Sequence, residues 1–145
     1  MGDKAPSFSK FGKDFQESLC QMILQDRPFA DQIMEVLDIG FLELHYLRVF
    51  VQKIFEYREE FGVHPTYKIM ISIIRADIEG ENVATQQQLR NYFARIHDAQ
   101  VSGSDYIKRT ALDFCRKQKL KEAMIKSVPL LEKSSFDQIA KIIND

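Results

Sequence analysis

Apolar side chains in this chain recur at helical spacing from Asp14 almost to its end, a regularity that leaves little room for any other fold. Phe15, Leu19, Met22 and Ile23 stand at i, i+4, i+7 and i+8, with Asp14 and Glu17 spaced like a capping box. Pro28 suits the first turn of a second helix whose stripe is Phe29, Ile33, Val36 and Leu37. A long third helix is expected after Gly40, with Leu44, Leu47, Phe50, Val51, Ile54 and Phe61 on one side. Gly62 would end it, and Thr66 would cap the next. Thr85 and Gln88 repeat the capping-box spacing ahead of Leu89, Tyr92, Phe93 and Ile96. Six Gly and four Pro are too few for the turns of a sandwich or barrel. The expectation is an all-α chain of about seven helices.

One stretch reads two ways. In Tyr67 to Ile74, Ile69, Ile71 and Ile73 alternate as in a strand, while Tyr67, Met70, Ile71, Ile74 and Ile78 follow a helix. A lone strand would leave its backbone groups unsatisfied, so the helix is preferred. With apolar residues on several sides, it is expected to be the most buried one.

The 145 residues suit a single domain with one core, and 45% apolar with 28% charged residues places the chain among ordinary globular proteins. A net charge of -1 removes the bulk signature of a nucleic-acid or membrane binder and leaves only local patches open. The longest apolar candidate, Ile69 to Ile78, is interrupted by Ser72, Arg75 and Asp77 and falls short of the ~20 residues a bilayer span needs. Cys20 and Cys115 read as reduced, buried thiols of a cytoplasmic protein. Residues 1–12 read as a mobile arm, 13–104 as a helical bundle, and 105–145 as a long helix plus a short one within the same domain.

The end of the chain is the most informative part. A helix is expected from about Asp105 to about Lys133, with Pro129 close to its end. Ser135 and Gln138 would cap a final short helix carrying Phe136, Ile139, Ala140 and Ile143. On the long helix Ile107, Ala111, Phe114 and Cys115 share one side. Leu120, Ala123, Met124, Val128 and Leu131 share another, rotated by roughly 150° at ~100° per residue. A buried face that changes partway along implies two packing partners. The first half would belong to the bundle, and the second would pair with the last helix as a projecting αα-hairpin. Two helices alone leave apolar surface wet. Either a second copy covers Leu120, Met124, Val128, Leu131, Phe136, Ile139 and Ile143, or the hairpin folds back on the bundle.

Little in the sequence points to catalysis. His45, His64, His97 and the two cysteines show no CxxC and no HExxH, and neither GxSxG, GxxxxGK[ST] nor GxGxxG occurs. No enzyme activity and no metal or other cofactor is expected of this chain. Lys108 to Lys133 holds eight basic residues against three acids, a local +5. Arg116, Lys117, Lys119 and Lys121 are the candidates for a partner-facing or DNA-facing patch. Without interleaved aromatics, an ordinary solvated helix face is the preferred reading.

Specific stretches carry a family resemblance. Tyr106-Ile-Lys-Arg-Thr-Ala-Leu-Asp-Phe-Cys-Arg-Lys-Gln-Lys-Leu-Lys-Glu-Ala123, Ile125-Lys-Ser-Val-Pro-Leu-Leu-Glu132 and Phe136-Asp-Gln-Ile-Ala-Lys-Ile-Ile143 resemble the closing hairpin of the N-terminal domain of DnaB-type replicative DNA helicases, in their phage-like branch. Phe15 to Leu24, Leu44 to Phe55 and His64-Pro-Thr66 are similar to that domain's opening helix, central helix and following turn.

The resemblance implies a bundle with a projecting hairpin, and hairpins that pair between subunits. Dimers, or a hexamer built as a trimer of dimers, would form a collar. Primase or a helicase loader would dock on that collar, which would meet DNA only indirectly and no membrane. The family's ATPase module would follow Asp145, with Lys141 and Asp145 near the start of a linker, so the parent protein would be an ATP-dependent DNA helicase. The alternative is a free-standing all-helical adaptor with the same fold and no motor.

Overall fold

The computed structural model describes residues 5–144. Helix α1, Lys13–Gln25, is the axis of the fold, with Phe15, Leu19, Cys20, Ile23 and Leu24 all buried along it. It packs against α2 (Arg27–Ile33), α3 (His45–Phe61) and the base of α6 (Ser104–Asn144). Helix α3 in turn carries α4 (Tyr67–Asp77) and α5 (Val83–Ile96). Short 3-10 turns at Ser9–Phe11, Ile39–Phe41 and Ile78–Gly80 join these elements, and no strand occurs among the described residues. The fold is all-α.

Local chemistry accounts for most of the helix ends. Asp26 starts α2, its Oδ1 accepting the Phe29 N–H at 3.1 Å, and Pro28 follows in the first turn, where a missing N–H costs nothing. Gly62 stops α3 in the left-handed region at φ 70, and Thr66 Oγ1 accepts the Ile69 N–H at 3.2 Å to open α4. Residues 67 to 74 are helical, as the missing partner strand required.

Several expectations are corrected. α1 begins after Gly12 with no side-chain cap, so Asp14 lies inside its first turn, favourably placed against the helix dipole. α3 begins at His45 because residues 39–41 form a separate 3-10 turn. The cap of α5 is Asn82, whose Oδ1 accepts the Thr85 N–H at 2.8 Å, while Thr85 is buried three residues in. α4 is not the most buried helix. Only Met70 and Ile74 are fully covered there, against eight residues of α1, because α4 leans on α3 at the edge of the bundle.

The N-terminal segment is not loose over all of residues 1–12. Phe8 is 0% exposed, its N–H donates to the Phe41 carbonyl at 2.8 Å, and its ring lies 4.9 Å from that of Phe114 in α6. Phe11 stacks on Phe15 at 4.7 Å, and Phe41 meets Phe114 edge-on at 5.3 Å. This aromatic cluster draws the first described turn, α1 and the base of α6 together. Residues 1–4 of the expected arm lie outside the described residues.

The expected hairpin is replaced by one helix, so among the described residues six α-helices stand where about seven were expected. Pro129 lies within α6 and Ser134-Ser135 continue it. Pro129 removes one backbone hydrogen bond, but no glycine or second proline follows to stop the helix. Staying helical keeps the remaining N–H and C=O groups paired, whereas a turn would free several with nothing nearby to receive them. Ser135 had the composition of a cap, and a helix interior tolerates serine as well.

Candidate functional site

α6 is two structures in one. Its base holds Ile107, Ala111, Leu112 and Cys115 in the core, and Lys108 Nζ reaches Asp26 Oδ2 at 2.9 Å. The last tie to the bundle is Lys119, whose ammonium donates to the Glu35 carbonyl at 2.8 Å. Beyond it, every side chain from Leu120 to Gln138 is exposed. From Arg116 to Asn144 the helix runs for roughly 43 Å at ~1.5 Å per residue.

This arm is not polar in the way a solvated helix usually is. Leu120, Met124, Val128, Leu131, Phe136 and Ile143 are each between 49% and 76% exposed, as are Ile125 and Leu130. The side chain of Ile139 lies outside the described residues. At ~100° per residue, Leu120, Met124, Val128 and Leu131 fall within a sector of roughly 80°. Phe136 and Ile143 lie roughly 115° further round, on the side that also carries Ile125. The arm therefore presents a proximal and a distal apolar stripe, and no single straight partner helix covers both. Ile125 and Leu130 were not among the expected contact residues. Ile125 falls on the distal sector and Leu130 on neither.

The basic residues do not gather on one face. Arg116, Lys117, Lys119 and Lys121 are all exposed, but they are distributed around the helix where it leaves the bundle. Lys119 already holds the Glu35 carbonyl. They form a positively charged ring at the root of the arm.

Elsewhere the reactive groups serve the packing. Burial raises the Cys20 thiol pKa well above its ordinary value, with the Glu17 charge adding to it, and burial raises Cys115 to about 12. Both are protonated thiols at neutral pH. Burial also lowers the pKa of His64. Because Arg58 can only donate, His64 Nδ1 accepts from it at 2.7 Å, and Nε2–H then donates to the Leu24 carbonyl at 2.6 Å. Arg58 also holds Asp31, so this network ties α2 and α3 to the end of α1. No cluster of three or more metal-ligating side chains occurs among the described residues, nor any helix long and apolar enough to cross a membrane.

No protein-family model, curated protein or solved structure matches this chain.

Proposed function

We propose that this chain is an assembly and docking domain, in which the bundle is a rigid base and the exposed part of α6 joins it to further copies. One observation carries the reading. A helix anchored by a full core at its base leaves six or more large apolar side chains in water along its length. Covering their exposed parts against a partner would remove apolar surface from water at roughly 25 cal/mol per Å2. Two stripes at different azimuths suit a four-helix arrangement, in which each arm meets two neighbours. A second copy supplies the same stripes and needs no further gene product.

The family resemblance extends this reading. Pairing of arms would build the dimers, and with a motor domain the hexameric collar, of a DnaB-type replicative DNA helicase. The ring of Arg116, Lys117, Lys119 and Lys121 would face primase, a loader or the DNA path. ATP hydrolysis would belong to the motor and not to this domain, whose setting would be the cytoplasm.

The test is the solution mass of the full chain against the variant Met124→Asp with Leu131→Asp. The wild type is expected to self-associate reversibly, and the variant to be a folded monomer whose melting temperature no longer rises with protein concentration, because Met124 and Leu131 are mostly exposed in the single chain. A wild type that sediments as a monomer at millimolar concentration overturns the reading.

A further inference from the structure

Away from the arm, α4 and α5 diverge to leave an open groove of about 390 Å3. That lies within the roughly 300–1,000 Å3 typical of binding clefts. Its floor is apolar, built from Ile74, Ile78 and Phe93, each under 8% exposed. Tyr67 also lines it, with its hydroxyl already committed to the Phe93 carbonyl at 2.8 Å, which ties the two helices together across the cleft.

The charge on its walls is one-sided. Arg75 from α4 and Arg90 from α5 both line the groove and both are exposed. Among the described residues, neither guanidinium has a carboxylate within 4.0 Å. Arg90 reaches only the Gln86 amide oxygen, at 3.5 Å. Lys53, Arg58, Arg95 and Lys108, by contrast, each hold an acid. Two guanidiniums without acids, one on each wall above a greasy floor, are complementary to carboxylates set beside apolar side chains.

We infer that the α4–α5 groove docks an acidic, amphipathic segment of a different protein. A second copy's arm fits it poorly. The arm as a whole is net positive, and its proximal part, Arg116 to Lys126, sets Arg116, Lys117, Lys119, Lys121 and Lys126 against Glu122 alone, which would bring like charge to Arg75 and Arg90. The groove is thus separate from the self-association surface.

The experiment uses the full chain and a fluorescein-labelled amphipathic peptide with leucines on one face flanked by glutamates. Its glutamine counterpart is the control. The glutamate peptide is expected to bind about tenfold more tightly than the control, with a preference that shrinks as salt rises. Arg75→Glu with Arg90→Glu should abolish that preference, and Arg75→Gln with Arg90→Gln should reduce it, while circular dichroism shows both variants folded. Sedimentation of the variants should match the wild type, so self-association and groove binding can fail independently. Equal binding of both peptides, binding unaffected by the charge reversal, or loss of self-association in the variants would overturn the inference. The last outcome would mean that the groove seats a second copy.

Discussion

Asp26 holds two parts of the molecule at once. Its Oδ1 accepts the Phe29 N–H at 3.1 Å, and its Oδ2 pairs with Lys108 Nζ at 2.9 Å. One carboxylate therefore both caps α2 and fastens the base of α6, the element from which the arm projects. Burial pushes its pKa up, but the hydrogen bonds from Lys108 and Phe29 and the Lys108 charge outweigh that and hold it below its ordinary value.

A depressed carboxylate stabilises the fold above its unfolded pKa of ~3.9 and loses that contribution as pH falls through the lower folded value. Asp26→Asn preserves the cap and removes the charge. It should cost about 1 kcal/mol at pH 7, a modest figure because both partners are partly exposed. Thermal melts at stepped pH check this. The gap between wild type and variant should close below about pH 4 and remain constant from pH 5 to 7.

Phe8 lies in the core although it precedes the first α-helix. Phe8→Ala removes the ring that meets Phe41 and Phe114, and a loss of about 3 kcal/mol is expected in urea unfolding. Hydrogen exchange should rise at the base of α6, around Ile107 to Cys115, and not in α4. A change below 0.5 kcal/mol, the ordinary range for surface positions, would return this segment to the status of a loose arm.

Two residues compete for the start of α5. Asn82→Ala should cost about 1 kcal/mol because it orphans the Thr85 N–H. Thr85→Val keeps a buried side chain of similar size and loses no cap, so the start of α5 should remain as protected in amide exchange as in the wild type. Loss of that protection in Thr85→Val but not in Asn82→Ala would place the cap at Thr85 instead.

Pro129 is the one residue that opposes a continuous arm. Replacing it with Ala restores an N–H for the Ile125 carbonyl and relieves a penalty of roughly 3 kcal/mol inside the helix. Helical ellipticity should therefore rise, and exchange should slow from Ile125 to Leu131. If the chain turned back at this point, the same substitution would leave the ellipticity unchanged or lower it.

Helix ends were legible wherever their signal spans a few residues. Gly62 in its left-handed conformation and Thr66 as a cap follow from local backbone needs alone. The helical reading of residues 67–74 followed from the absence of any second strand. Cap choices failed at Asp14 and Thr85 because each helix had already begun, α1 at Lys13 with no side-chain cap and α5 behind Asn82, which accepts the Thr85 N–H. The groove residues Arg75 and Arg90 carry no sequence signal of their own, since they meet only where α4 and α5 diverge.

The alternation of greasy and polar residues was enough, by itself, to dictate an all-helical chain and a change of face along α6. It could not say that Phe8 would find Phe114 across the fold, that α4 would sit at the rim, or that the last two helices would be one. Those outcomes depend on which surfaces are near enough to cover an apolar stripe. α1 and α2 reach the base of α6, and past Lys119 the bundle ends and the stripe is left in water.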